Sequence, residues 1–207
     1  MKLYYAPGAC SQAPHIVARE LGLPVELTKV EFPAKRTVDG EDLLAVNPKG
    51  AVPTLRLDDG EVLTENAVIL QFLADQKPGS ELAIPKDGIE RYRLLEWLNF
   101  IATELHKGFG PLWDPATPVS FKDATREALA KKFDYLQQRI GDGPYILGDR
   151  FSILDAYAFA VLNWTRIHSI DINRWPGLVA YLQRVGTRPA VQETLRAEGL
   201  IDQGQKK

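Results

Sequence analysis

Apolar and polar positions change their period twice along this chain. Lys2–Tyr5 is a short apolar run that reads as a strand, and the breaker pair Pro7-Gly8 ends it. Ser11–Leu21 carries Ile16, Val17 and Leu21 at helical spacing and stops at Gly22. Val25–Val30 alternates with the period of two of a strand, and Glu41–Val46 reads as a short helix. Thr54–Leu57 and Glu61–Leu63 are short strands around Asp58-Asp59-Gly60, a hairpin signal. Glu65–Asp75 is helical again, with Val68, Ile69, Phe72 and Leu73 on one face. The order βαβαββα predicts an α/β domain on a four-stranded mixed sheet, its first two strands parallel through a right-handed crossover.

Lys77-Pro78-Gly79-Ser80 and Pro85-Lys86-Asp87-Gly88 then break the pattern. We divide the chain into a domain at 1–77, a linker at 78–88 and an all-α helical-bundle domain at 89–207. Ile89–Phe109 reads as one long amphipathic helix, and Lys122–Ile140 as another. Ser152–Ile167 is apolar nearly all round, as a central core helix should be. Trp175–Gly186 and Val191–Leu195 finish the set, before a polar tail at Gln203–Lys207.

Composition narrows the function classes. Of 207 residues, 45% are hydrophobic and 25% charged, an ordinary globular balance. With 25 Lys and Arg against 27 Asp and Glu, the net charge of −2 gives no footprint for nucleic acid or an anionic membrane. Small ligands of mixed charge remain open. One cysteine forms no internal disulfide, and no Cys/His cluster suggests a metal site, which fits a reducing compartment. Pro7-Gly8 interrupts the N-terminal run too early for a signal peptide, and Ala156–Trp164 is too short to span a bilayer, so the expected location is the cytoplasm.

The lone thiol, Cys10, falls at the mouth of the first helix, beyond the C-terminal end of a strand. Unpaired N–H groups there favour an anion and lower a thiol's pKa. The plain alternative is a small buried hydrophobe. Ser11 reads as the N-cap. In "NPKGAVPTL", Val52-Pro53 enters a strand. We take Pro53 as a cis proline, although sequence does not reveal the isomer; a cis bond would turn the Val52 N–H and C=O outward to pair with an extended peptide. In "LTENAV", Glu65 offers an acceptor to an ammonium, and the following helix start suits a carboxylate. Simple capping is the competing explanation. Asn99, Thr103 and His106 fall at i, i+4 and i+7 of one predicted helix and should share a face. His15 and His168 read as structural.

These elements together resemble cytosolic glutathione transferases. The runs "YYAPGACS", "AVNPKGAVPTL", "DDGEVLTEN" and "EWLNFIATELHKGF" are similar to the bacterial beta class over essentially the whole chain, and "GDRFSILDAY" is similar to the family's helix-start motif. Within that motif Ser152 and Asp155 form a capping box of structural role. The resemblance implies a thioredoxin-like first domain and a homodimer, with glutathione as co-substrate and no metal. It implies that Cys10 and His106 are catalytic at the sulfur, that Val52 pairs with the cysteinyl backbone, and that Glu65 and Asn66 hold the γ-glutamyl end. Lys35 would meet the glycyl carboxylate, and Asn99, Thr103 and Glu104 would add contacts, some reaching a partner chain. Ala51 and Asn66 depart from the family's usual Gln and Ser. A second pocket, for a small apolar electrophile, is expected around Phe109, Leu112 and Trp113. The expected activity is conjugation of the glutathione thiolate, with possible thiol–disulfide exchange through Cys10. The alternatives are a thiol–disulfide oxidoreductase or dehalogenase, or a non-catalytic binder on the same fold.

Overall fold

A computed structural model describes residues 1–202; the polar tail Gln203–Lys207 lies outside the described residues. Contacts divide the chain into two compact units, Met1–Ala83 together with the segment from Thr187, and Ile84–Gly186.

The first unit contains β1 (Lys2–Tyr5), α1 (Gln12–Leu21), β2 (Glu26–Glu31), β3 (Arg36–Thr37), α2 (Leu43–Val46), β4 (Thr54–Arg56), β5 (Val62–Thr64) and α3 (Asn66–Asp75). The sheet order is β3-β2-β1-β4-β5, with β1 parallel to β2 and the other pairs antiparallel. Among the described residues the sheet thus has five strands where the sequence suggested four. Strand β3 is only two residues long, folding Thr37 and Arg36 back on Val30 and Glu31, and two residues are too few for any periodicity to register.

Central β1 is covered on both faces. Tyr4 packs with Val30 and Leu43, and partly buried Val46 and Val52 join them. Tyr5, pointing the other way, meets the ring of His15 on α1. Leu55, Ile16, Ile69, Leu70 and Leu73 are fully buried, each contributing about 1.5–3 kcal/mol of transfer free energy.

The second unit contains α4 (Gly88–Phe100), which continues as a π-helix (Ile101–His106) and a 3-10 turn (Lys107–Phe109), then α5 (Gly110–Trp113), α6 (Val119–Ile140), α7 (Ile153–Leu162) and α8 (Pro176–Gly186). The expected single helix over 89–109 is therefore wound in three ways. Every residue of α7 is buried, as its all-round apolar pattern requires. At its start Asp155, itself fully buried, accepts from the Ser152 N–H (2.8 Å) and hydroxyl (2.7 Å), the Ile146 N–H (3.0 Å) and the Tyr181 hydroxyl (3.0 Å). Burial raises the Asp155 pKa while these donors pull it down.

The last helix, α9 (Pro189–Ala197), packs on α1 and so groups with the first unit, whereas the sequence division assigned it to the helical domain. Its apolar face carries no mark of which domain it covers. Among the described residues no helix is long and apolar enough to cross a membrane.

Candidate active site

Loop 6–11 carries the thiol, and side chains hold it from two sides. The Ser11 hydroxyl accepts from the Ala6 N–H (3.1 Å) and donates to the Ala6 carbonyl (3.2 Å). Ser11 is the N-cap residue of α1 by position, as expected, but its hydroxyl closes the loop and does not bond the helix amides. The Glu198 carboxylate accepts from the Gly8 N–H (2.9 Å), Gln12 Nε2 (3.2 Å) and His15 Nδ1 (2.9 Å). Sequence reasoning missed Glu198; a lone acid just past a terminal helix carries no signal of a partner more than 180 positions away.

Cys10 is 7% exposed, and its thiol donates to the Val52 carbonyl at 3.2 Å. The Val52–Pro53 bond is cis. The Val52 carbonyl, expected to face a ligand, is thus engaged by the thiol. Burial pushes the Cys10 thiol up to about 12. The backbone amides of Cys10 and Ser11 do lower it, as a helix mouth should, but desolvation outweighs them and the Glu65 charge adds to the rise. The expected low-pKa thiol is therefore corrected: the helix mouth is present, but the sulfur is too far from water to ionise at neutral pH.

Asn66, 5% exposed, donates from Nδ2 to the Cys10 carbonyl at 3.0 Å, which ties the start of α3 to the thiol's backbone. Its Oδ1 is buried without a hydrogen-bond partner among the described residues. Glu65, beside it, is exposed, and Lys49 lies against its carboxylate. Lys35 reaches over the same loop: a Cβ built on Gly50 would lie 2.7 Å from Lys35 Nζ. Gly50, at φ +59°, both makes the turn and leaves room for that side chain. Cys10, Val52, Glu65, Asn66 and Lys35 thus all belong to the first unit. Lys49 and Gly50 were missed as site residues, although both lie in the "NPKG" run.

The predicted residues of the second unit divide between two faces. Asn99, Thr103 and Glu104 line a cavity of about 750 Å³ against α6, with Trp97, Phe100 and Tyr135. Glu104 pairs there with Lys132, and the Thr103 hydroxyl donates to the Asn99 carbonyl at 3.0 Å. His106 turns elsewhere. Its Nδ1 lies 2.7 Å from the hydroxyl of buried Tyr157, and its ring meets Trp164 edge-on at 5.0 Å. The shared face expected for Asn99, Thr103 and His106 is corrected: the π-helix bonds i to i+5, which breaks the 3.6-residue spacing behind that expectation. Phe109 and Leu112 are buried in the helical core, while Trp113 is half exposed and edge-on to His168 at 4.2 Å. Among the described residues no group of three or more His, Cys, Asp or Glu is placed to hold a metal.

Comparison with known proteins agrees with this geometry. The glutathione S-transferase N-terminal domain family matches residues 8–76, and the C-terminal domain family matches residues 120–184. Glutathione S-transferase GstA of Escherichia coli O157:H7 is 48% identical over 200 residues, covering 97% of this chain and all of that protein. The bacterial glutathione transferase BphK, solved as a ternary complex, superposes with a TM-score of 0.93 at 50% identity, covering 96% of this chain and all of the other. A sphingomonad glutathione S-transferase complexed with glutathione gives a TM-score of 0.93 at 44% identity, over 97% of this chain and all of the other. With both domain families matched in order and relatives aligned from end to end, the chain belongs to the glutathione S-transferase family.

Proposed function

We propose that this protein binds glutathione as co-substrate and conjugates its thiolate to an electrophilic carbon of a small apolar molecule. The observation that carries this reading is the cluster around the mouth of α1. A thiol, a buried unpartnered amide oxygen, an exposed carboxylate and a lysine held over a glycine converge on one loop system. Their chemistry matches a tripeptide with an ammonium, a thiol and two carboxylates. Glu65 takes the γ-glutamyl ammonium, with Asn66 Oδ1 as a second acceptor. Lys35 takes the glycyl carboxylate, and Val52 pairs with the cysteinyl backbone. The neutral Cys10 thiol is a donor: exchanging its Val52 acceptor for the glutathione sulfur, it stabilises that sulfur as a thiolate.

The glutathione thiol gives up its proton to solvent, the thiolate lone pair forms the carbon–sulfur bond, and the leaving group departs with the electron pair of the bond it breaks. Asn99, Thr103 and Glu104 contribute from a partner chain in a cytoplasmic homodimer. The Cys10 thiol, raised by burial and donating to the Val52 carbonyl at 3.2 Å, suits a hydrogen-bond donor at the glutathione sulfur better than an attacking thiolate in disulfide exchange.

A panel of electrophiles and mixed disulfides, assayed with glutathione on wild type and Cys10→Ala, tests this. Glutathione-dependent conjugation by the wild type is expected, weakened in the variant. A wild type that neither binds nor turns over glutathione at millimolar concentration would leave only the non-catalytic binder.

A further inference from the structure

The loop before Pro53 brings a cation onto Glu65. Lys49 Nζ lies 2.6 Å from Glu65 Oε1 and 2.9 Å from Thr64 Oγ1. The root of that lysine is fixed: its backbone N–H donates to Asn47 Oδ1 at 3.1 Å. Buried Asn47 in turn donates from Nδ2 to the Ala51 carbonyl (3.1 Å) and Thr54 Oγ1 (2.9 Å). The ends are not enclosed, since the Lys49 and Glu65 side chains are 56% and 66% exposed. A primary ammonium on a carboxylate is the same contact that a γ-glutamyl α-ammonium would make.

We propose that Lys49 is an internal stand-in for the ligand's ammonium, competing with it for the Glu65 carboxylate and leaving it when glutathione brings its own. The proposal rests on the reading of Glu65 as the γ-glutamyl acceptor. Binding then exchanges one cation on Glu65 for another, so Glu65 adds little net affinity while Lys49 is present. Lys49 sets how strongly the site discriminates ligands that carry an ammonium from those that do not. Without it, a ligand with an ammonium meets an uncompensated carboxylate and binds tighter. A ligand lacking one brings only its own carboxylates toward Glu65 and binds more weakly.

The test is calorimetric titration of full-length wild type, Lys49→Gln and the double variant Lys49→Gln/Glu65→Gln. The ligands are glutathione and its des-amino analogue, glutaryl-cysteinylglycine. All the substituted positions are exposed, and circular dichroism checks the fold of each variant. Lys49→Gln should bind glutathione about two- to fivefold tighter, the range open to an exposed ion pair, and its preference for glutathione over the analogue should widen. The double variant should lose that preference. If Lys49→Gln binds glutathione no tighter while the double variant loses the preference, the stand-in role is wrong and the Glu65 reading stands. If the double variant keeps the widened preference of Lys49→Gln, Glu65 is not its source and both readings fall.

Discussion

Glu198 is the residue whose removal should disturb the thiol loop most. Its side chain is wholly buried and receives three donors, the Gly8 N–H, Gln12 Nε2 and His15 Nδ1. Arg19 Nε donates to His15 Nε2 at 3.0 Å, so the imidazole proton sits on Nδ1, facing the carboxylate. Glu198→Ala deletes the acceptor of all three at once. Gly8 is partly exposed and water can reach it, but Gln12 and His15 are 2% and 1% exposed and stay buried. Each buried donor left without its acceptor costs about 1–3 kcal/mol, so the variant should lose about 2–6 kcal/mol. Glu198→Gln keeps the shape but offers one acceptor oxygen, and should fall between. Urea denaturation followed by tryptophan fluorescence reads this as a lower midpoint at unchanged slope. Gly8 lies two positions before Cys10, so the loosened loop should also speed thiol modification. A Glu198→Ala protein within about 0.5 kcal/mol of wild type, with unaltered thiol reactivity, would refute the assignment of this carboxylate as the loop's anchor.

Other outcomes follow from the same contacts. Cys10 titrates near 12 folded and near 8.5 unfolded, so its contribution is whole below about pH 8.5 and is lost as pH rises toward 12. Between neutral pH and pH 10 the wild type should lose about 2 kcal/mol that Cys10→Ala does not, measured as the difference between their alkaline denaturation curves. Gly50→Ala puts a methyl 2.7 Å from Lys35 Nζ and 2.8 Å from Leu44 Cδ2 at φ +59°, and the left-handed backbone alone costs about 1–2 kcal/mol. It should weaken binding of glutathione more than binding of γ-glutamylcysteine, which lacks the glycyl carboxylate; equal weakening would detach Lys35 from that role. Asp155→Ala leaves four donors without their acceptor in the helical core and should cost about 3–5 kcal/mol in the same denaturation assay. Tyr157→Phe removes the hydroxyl 2.7 Å from His106 Nδ1 and should cost about 0.5–1.5 kcal/mol in the same denaturation assay.

Periodicity carried the fold well where elements exceed a few residues. The alternation in Val25–Val30 and the all-round apolar Ser152–Ile167 segment correspond to β2 and α7 within one or two residues at their starts. What failed was short or non-standard. Strand β3 is too brief to have a period, and the π-helix at Ile101–His106 replaces the spacing on which a shared face for Asn99 and His106 depended. The grouping of Cys10 with Val52 and Asn66 was legible because each sits next to a breaker or a helix start. Their states were not. Whether a helix-mouth thiol is ionised depends on how much water reaches it, a tertiary quantity, and here burial outweighs the amides. Lys49 on Glu65 and Glu198 beneath the thiol loop are contacts across the chain, and composition holds no trace of either.

Titration of the isotope-labelled protein with glutathione, followed by amide chemical shifts, tests the central claim most directly. The account predicts saturable shifts concentrated at Ala9–Gln12, Val52 and Glu65–Asn66, with the Lys49 ammonium released from Glu65 over the same concentration range. Millimolar glutathione that leaves those amides unmoved would contradict it.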